Sequence, residues 1–323
     1  TGFLKNAVRL STLLASNMAA IERIGEYGDC FRDKNSDEKP LVPREAAEVV
    51  SLTNDEWTPS IGSIVVDDAK MRYRDGPLVL KGISLSIQGG HRVGVVGRTG
   101  SGKSSLAAAL FRIVELDGGS ISIDGMDTRK LGLRELRRGL FIIPQDPVLF
   151  SASLRFNVDP FDEYTDNEVL GALKKAELGS LVKSYDKGLQ EVLQEGGSNL
   201  SVGQRQLVCI ARALLRKPRI LVLDEATASI DNETDAAIQR QIRDGFVGST
   251  TITIAHRLHT ILDSDRVLVL DDGKVLEYDA PATLLADSAS RFRALVDAAK
   301  GRSPSQQNLL QLAEDEASAR ARL

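Results

Sequence analysis

The amino-acid sequence predicts an α/β fold built around a parallel sheet. Five short runs contain few or no polar residues, which is typical of parallel strands buried on both faces: Val93–Val96, Leu140–Ile143, Ile220–Leu223, Thr251–Ile254 and Val267–Leu270. Segments with helical character separate them, among them Ser104–Val114 and Gly203–Arg216. Strand and helix therefore alternate along the chain, and this alternation favours the α/β class.

Two further features complete the predicted architecture. Apolar residues alternate with polar ones in two stretches, as in half-exposed antiparallel strands: Ile83, Leu85 and Ile87, then Ile121 and Ile123. Between about 148 and 200 no buried-strand run occurs, and residues 168–176 and 181–185 have helical character. We therefore expect an antiparallel β flank and an inserted α-helical subdomain at about 148–216.

Composition and charge exclude several classes of protein. The 323 residues are 42% apolar and 27% charged, as in a globular protein with ample material for a core. The formal net charge of −4 argues against binding to nucleic acid or to an anionic surface, so any phosphate binding must come from a local site. The only cysteines, Cys30 and Cys209, form neither a disulfide framework nor a metal-binding spacing.

The two ends of the chain differ from its centre. Residues 1–28 begin with an apolar stretch, but charged residues leave no uncharged run of the roughly 18–20 residues that span a bilayer. The polar, proline-bearing stretch 29–59 is typical of a linker, and 301–323 is a polar C-terminal tail. Residues 60–300 then form one domain. Because the chain begins at Thr1 without methionine, we expect it to be a piece of a longer protein.

A phosphate-binding loop is the strongest motif in the sequence. It comprises Gly97, Arg98, Thr99, Gly100, Ser101, Gly102, Lys103 and Ser104, with Ser105 directly after it. The motif follows a buried strand and opens a helix, which is the context that this pattern requires. Glycines let successive backbone N–H groups surround phosphate oxygens, and the helix N-terminus adds positive potential. We expect Lys103 to reach the terminal phosphates of a nucleotide and Ser104 to supply an oxygen to Mg²⁺.

Two carboxylates follow the buried run 220–223. Asp224 and Glu225 stand at the C-terminal end of a strand, where ligands bind in open α/β sheets. We expect Asp224 to hold Mg²⁺, directly or through water, and Glu225 to orient and deprotonate an attacking water. An acidic pair that merely starts a helix is the competing interpretation, and the phosphate loop makes it much weaker.

A third motif opens a helix before these carboxylates. It consists of Leu200, Ser201, Val202, Gly203 and Gln204, followed by Arg205 and Gln206. Such a segment can bind an anion at a helix N-terminus through the Ser201 hydroxyl and the Gly203 N–H. Ser201 also suits a plain helix N-cap. The motif resembles the signature of the ABC ATPases, which is usually Leu-Ser-Gly-Gly-Gln.

Other residues extend this resemblance over roughly residues 60–300. It implies a P-loop NTPase with a RecA-like parallel core. In the ABC ATPases a glutamine placed like Gln145 touches Mg²⁺ and senses the transmembrane domain, and a histidine placed like His256 contacts the γ-phosphate. The resemblance also implies that Asp231 makes a dimer contact and that Tyr73 stacks on adenine. Taken alone, these positions suit a surface glutamine, a structural histidine and a core tyrosine.

More specific matches narrow the resemblance to the second nucleotide-binding domain of the C subfamily, which holds the multidrug resistance-associated exporters. They lie in the phosphate loop, in Ile143–Phe150, in Asn157–Phe161 and at Val202, where that domain characteristically carries valine. The resemblance implies ATP and Mg²⁺ as cofactors and no nucleic acid. Its implied partners are the first nucleotide-binding domain of the same transporter and the transmembrane domains of the same polypeptide, in a plasma or vacuolar membrane.

We therefore expect ATP binding and hydrolysis that power transport of an unknown substrate. A regulatory cassette that gates a partner channel, as in the sulfonylurea receptors, keeps the same motifs and stays open as an alternative. A soluble ABC ATPase of translation or DNA repair fits less well, because residues 3–24 resemble the cytoplasmic end of a last transmembrane helix.

Overall fold

The computed structural model describes residues 57–224, 232–254 and 258–300. The strands are β1 (Ile64–Arg72), β2 (Leu78–Ile87), β3 (Arg92–Gly97), β4 (Gly118–Ile123), β5 (Met126–Asp127), β6 (Leu140–Ile143), β7 (Ile220–Asp224), β8 (Thr250–Ile254), β9 (Arg266–Asp271) and β10 (Lys274–Asp279). The helices are α1 (Lys103–Leu110), α2 (Leu133–Gly139), α3 (Leu154–Val158), α4 (Asp166–Lys175), α5 (Gly179–Ser184), α6 (Val202–Arg216), α7 (Asn232–Gly245), α8 (Leu258–Leu262), α9 (Pro281–Ala286) and α10 (Arg291–Lys300). The predictions for residues 1–56 and 301–323 fall outside the described ranges.

A six-stranded sheet forms the centre of the fold. Its order is β10-β9-β3-β8-β7-β6, in which β9, β3, β8, β7 and β6 run parallel and β10 pairs antiparallel with β9. The five predicted parallel strands are therefore confirmed. Val93 and Val95 of β3 belong to a buried cluster shared with the other sheet, whereas Val96 packs with α9 and α10. Burial on both faces explains why these strands are almost uniformly apolar.

The predicted antiparallel flank is a second sheet, of order β2-β1-β4-β5. Its inward side chains, including Ile83, Ile121 and Ile123, are fully buried. The sequence did not reveal β1, because an irregularity between Val66 and Ala69 shifts its register and changes which alternate residues face inward. A bulge of this kind breaks the two-residue periodicity on which a strand is recognised.

Helices replace strands between β6 and β7, where the chain forms α3, α4, α5 and α6. Their apolar faces share one buried cluster with side chains of β6 and β7. None of the described helices combines the length and the hydrophobicity needed to cross a bilayer.

The helix after the phosphate loop is shorter than predicted, because α1 ends at Leu110 rather than at Val114. Arg112 adopts a left-handed backbone conformation with φ of 47°, which stops the helix. Its guanidinium donates hydrogen bonds to the carbonyls of Thr128 and Leu131 at 2.9 and 2.8 Å. This long-range contact is not visible in helical periodicity.

The Asp124 carboxylate binds the backbone of residues 60–63, the segment directly before β1. Its oxygens accept hydrogen bonds from the backbone N–H groups of Ser60, Ile61, Gly62 and Ser63 at 2.7 to 3.1 Å. Burial raises the pKa of this carboxyl, but the hydrogen bonds outweigh burial and hold the pKa below its usual range. The ionised carboxylate is therefore the form that stabilises the fold.

We expect Asp124→Asn to lower the free energy of unfolding by about 1–3 kcal/mol at pH 7, because a neutral amide cannot satisfy all these donors. The folded pKa is depressed, so the stabilisation is present above the unfolded pKa of about 3.9 and is lost as pH falls through the folded pKa. Urea denaturation of both proteins at several pH values should show their difference shrinking below about pH 4.

Asp68→Asn is the matched control. Asp68 also has a positive φ, of 45°, but its carboxylate makes an exposed ion pair with Lys70. Its substitution should change the free energy of unfolding by less than about 1 kcal/mol. An equal loss in the two variants would contradict the role assigned to Asp124.

Candidate nucleotide-binding site

The predicted phosphate loop, residues 97–104, runs from the end of β3 into the first turn of α1. The backbone of Gly97 passes so close to β9 that a Cβ there would lie 2.2 Å from the carbonyl oxygen of Leu270. Only glycine fits at this approach. The N-cap residue of α1 is Gly102, which provides no side-chain acceptor for the first helical N–H groups. These donors are thereby left for a ligand.

The Lys103 side chain is bound within the loop. Only 7% of the residue is exposed, and its Nζ donates to the carbonyls of Gly97 and Arg98 at 2.9 and 3.0 Å. Burial lowers the pKa of the Lys103 ammonium, and the negative charge of Asp224 partly opposes this shift. A cation that has lost water and is held mainly by neutral carbonyls has a strong attraction for an anion.

The two serines of the loop have different surroundings. The hydroxyl of Ser101 is buried and has no hydrogen-bond partner among the described residues, a costly arrangement that an anionic oxygen in the loop would relieve. Ser104 is exposed on the first turn of α1, where its oxygen is accessible to a cation. Both observations fit a phosphate group accompanied by a metal ion.

Tyr73 lies beside the start of α1. Its hydroxyl is 3.1 Å from Oγ of Ser105, and 46% of the residue is exposed. The exposure excludes the alternative of a core tyrosine. An exposed ring next to a phosphate loop is available for stacking on a nucleobase.

Asp224 is the last residue of β7, in register with Ile254 of the neighbouring β8. Ile254 in turn pairs with Val95 of β3, two residues before Gly97, so the two predicted motifs lie at the same end of the sheet. Glu225, Asp231 and His256 lie outside the described residues.

The predicted signature segment forms the N-terminus of α6 as a capping box. Oγ of Ser201 accepts the N–H of Gln204 at 3.1 Å, and Oε1 of Gln204 accepts the N–H of Ser201 at 2.9 Å. The Ser201 hydroxyl therefore does cap the helix, and its own hydrogen remains available to an anion. Val202 is 39% exposed on the first turn, whereas Leu200 is buried in the core and contributes packing rather than a contact surface.

Gln145 is exposed just after β6. Its backbone is held by Gln206, whose role the sequence did not predict. Gln206 of α6 is 1% exposed, and its Nε2 donates to the carbonyls of Pro144 and Gln145 at 3.1 and 2.8 Å. A glutamine on the buried face of an amphipathic helix was the only signal that could have revealed it. The signature helix and the Gln145 segment are thus directly bonded.

A half-buried arginine, Arg212, connects the following residues to the same helix. The guanidinium of Arg212 donates to the carbonyls of Val148 and Asn157. Burial lowers the pKa of this guanidinium, while the nearby Cys209 raises it in part. Arg212 and Gln206 lie six positions apart on α6, so the helix is hydrogen-bonded to the segment from Pro144 to Asn157 at two points.

Comparison with known proteins identifies the family. Residues 80–228 match the family described as "ABC transporter". Over 286 residues the chain is 51% identical to the rat "ATP-binding cassette sub-family C member 2", a match that covers 88% of this chain and 18% of the relative. The chain belongs to the ABC transporter ATP-binding domain family.

Other relatives agree with this assignment. The cassette is 48% identical over 284 residues to the Arabidopsis thaliana "ABC transporter C family member 9", covering 87% of the cassette and 18% of that protein. It also resembles the structure of a bacterial Atm1-family ABC exporter with ATP bound, with a TM-score of 0.70, 35% identity and coverage of 75% and 43% of the two chains. The cassette spans about a fifth of the length of the curated relatives it matches.

The described site fits the ATP and Mg²⁺ that ABC cassettes bind. The orphaned hydroxyl of Ser101 and the partly desolvated ammonium of Lys103 suit phosphate oxygens. Ser104 and Asp224 are oxygen donors of the kind that Mg²⁺ prefers.

We expect Gln206→Leu to lower the free energy of unfolding by about 1 kcal/mol, because two partly buried backbone carbonyls lose their donor. Amide hydrogen exchange of residues 144–149 should become faster, since this segment loses its bond to α6. Urea denaturation and exchange detected by mass spectrometry measure the two effects.

Gln241→Leu serves as the control, because the Gln241 amide binds only the exposed carboxylate of Glu177, at 3.3 Å. Gln241→Leu should leave both the free energy of unfolding and the amide exchange of residues 144–149 nearly unchanged. Unaltered exchange of residues 144–149 in Gln206→Leu would contradict the anchoring role.

Proposed function

We propose that the cassette binds and hydrolyses ATP as the second nucleotide-binding domain of a C-type ABC exporter, and that hydrolysis powers transport of a substrate across a membrane. The observation that carries the proposal is the buried Lys103 ammonium, held by carbonyls of a glycine-rich loop that opens a helix. Terminal phosphates offer this ammonium charged acceptors in place of neutral ones. Similarity to exporters of the C subfamily supports the transport role.

Nucleotide binding uses the whole loop. Backbone N–H groups of the loop and of the first turn of α1 bind phosphate oxygens, apart from the Ser101 N–H, which donates to the Arg98 carbonyl. Arg98, Thr99 and Gly100 form the exposed part of the loop. The ring of Tyr73 stacks on adenine. Ser104, Gln145 and Asp224 hold Mg²⁺, which supplies positive charge beside the phosphates.

Hydrolysis requires a base next to the γ-phosphate. Glu225 follows Asp224, the last residue of β7, directly in the sequence, and β7 ends on the side of the sheet that carries the loop. Glu225 orients and deprotonates the attacking water, and His256, two residues after the end of β8, contacts the γ-phosphate. Lys103 and the loop N–H groups stabilise the charge that develops on the phosphate oxygens.

The first nucleotide-binding domain of the same transporter completes the site. ATP lies between the phosphate loop of one cassette and the signature of the other, and Asp231 contributes to their contact. The exposed Val202 occupies a position where the usual signature has glycine, and its side chain restricts close approach to a phosphate. The ATP on this cassette's own loop is then the one hydrolysed, and this cassette's signature completes a slower site.

The transmembrane domains dock on an apolar surface near Gln145. Val148, Phe150 and Phe156 are 60%, 55% and 42% exposed, and the two phenylalanine rings meet edge to face with centroids 6.2 Å apart. Contiguous exposed apolar groups mark interaction surfaces. Since Gln206 and Arg212 bond this segment to α6, a movement of α6 reaches the membrane domains of the plasma or vacuolar membrane through it.

We expect Glu225→Gln to slow ATP turnover by about 10²- to 10⁴-fold with ATP binding retained, because the amide keeps the shape but cannot accept a proton. The assay is single-turnover hydrolysis by this cassette mixed with the first cassette, with Glu163→Gln, a surface ion-pair residue, as control. Wild-type turnover in Glu225→Gln would remove Glu225 as the base. In vesicles that contain the full-length transporter, Glu225→Gln should also abolish ATP-dependent drug uptake.

We expect Tyr73→Ala to raise the Michaelis constant for ATP more than it lowers turnover. Stacking on the base contributes equally to the ground and transition states and so acts as uniform binding. Tyr73→Phe keeps the ring and loses only the contact with Ser105, so it should retain most of the affinity. Steady-state kinetics of the three proteins separate the effects, and equal Michaelis constants would argue against stacking.

A further inference from the structure

The turn that joins β9 to β10 lies directly against the phosphate loop. The N–H of Gly273 in this turn donates to the carbonyl of Ser101 at 3.1 Å. On the same side, the carbonyl of Leu270 closes the space beside Gly97, and the Cα of Gly273 faces Gly102. Three residues of the loop therefore contact a segment that lies just over 170 positions further along the chain.

The turn is itself fastened to β2 and has no room for a side chain. The carbonyl of Gly273 accepts the N–H of Lys81 at 2.9 Å, and the Lys81 ammonium pairs with Asp272. Gly273 has a φ of +74°, and a Cβ there would lie 2.1 Å from the carbonyl oxygen of Val79. A methyl group at this position must displace either the turn or β2.

A loop that gives its N–H groups to a ligand must satisfy its carbonyls elsewhere. In this loop, the carbonyls of Gly97 and Arg98 accept from Lys103, while that of Ser101 accepts from Gly273. The bonds from Lys103 depend on a side chain that phosphate competes for, although the Arg98 carbonyl also accepts the N–H of Ser101 at 3.1 Å. The Gly273 bond depends on the backbone alone, so it can hold the loop in shape with and without a nucleotide.

We propose that Gly273 is a positioning residue for nucleotide binding: its N–H, with the turn it belongs to, holds Ser101 and its neighbours in the phosphate-binding shape. The inference rests on the proposed binding of phosphate by residues 97–104. It assigns the β9–β10 turn, which lies outside the phosphate-loop motif, a share in ATP affinity.

The test compares Gly273→Ala with Gly248→Ala. Gly248 has a φ of +82°, but a Cβ there meets no atom within 4 Å, so the two variants share the backbone strain and differ in the clash. Equilibrium binding of Mg-ATP to the folded proteins should weaken by about tenfold or more in Gly273→Ala and stay within about twofold of wild type in Gly248→Ala. Unchanged affinity in a folded Gly273→Ala protein would overturn the inference.

Amide exchange tests the same idea without relying on ATP binding. In Gly273→Ala, exchange of the amides of residues 97–104 should accelerate severalfold in the absence of nucleotide, and in Gly248→Ala it should not. If wild type binds no ATP, the proposed function fails, and this comparison alone decides whether the turn holds the loop. If wild type binds ATP and neither affinity nor exchange responds to Gly273→Ala, only the inference about Gly273 fails.

Should Gly273→Ala not fold, the unmodified protein supplies the measurement. Mg-ATP should slow exchange of the Gly273 N–H by about tenfold or more, because a loop fixed by phosphate holds the Ser101 carbonyl in place. Exchange at Gly273 that is indifferent to bound ATP would overturn the inference.

Discussion

When the backbone N–H groups of a loop point at an anion, the carbonyl groups of the loop need hydrogen-bond donors from the surrounding structure. The lysine of the loop also needs acceptors, and these have to be neutral if its charge is to remain available to the anion. The cassette meets the demand by folding Lys103 back onto the carbonyls of Gly97 and Arg98. It also places β9 and the following turn against the outer side of the loop. The position of β3 between β8 and β9 makes this arrangement possible.

A second constraint concerns how the parts of the site remain coordinated. Gln145 and the signature segment are separate motifs in the sequence, yet one side-chain amide, that of Gln206, bonds the helix of one to the backbone of the other. Arg212 repeats the connection further along α6. The helical region can therefore respond as a unit, since rigid elements joined by buried hydrogen bonds have few independent movements.

Much of the fold could be predicted because the amino-acid composition of a short segment indicates whether that segment is buried. The five parallel strands are apolar on both faces, and the phosphate loop carries its own context of strand and helix. What could not be predicted depends on distant contacts or broken periodicity. The bulge in β1, the half-exposed edge strand β10 and the early end of α1 at Arg112 belong to this group. The role of Gln206 could not be predicted because its hydrogen-bond partners, the carbonyls of Pro144 and Gln145, lie about sixty residues away.

The order of strands in the central sheet also determines how long β3 remains without its partner strands during synthesis. Among the described strands β3 pairs with β8 and β9 alone, and Val93 stands opposite Ile252, which the ribosome adds 159 residues later (252 − 93). At 5–20 residues per second this separation amounts to roughly 8–30 s. Throughout that interval the apolar strand β3 and its glycine-rich continuation have no permanent neighbours in the sheet. The nascent cassette therefore exposes an apolar strand without its sheet partners until β8 and β9 have been synthesised.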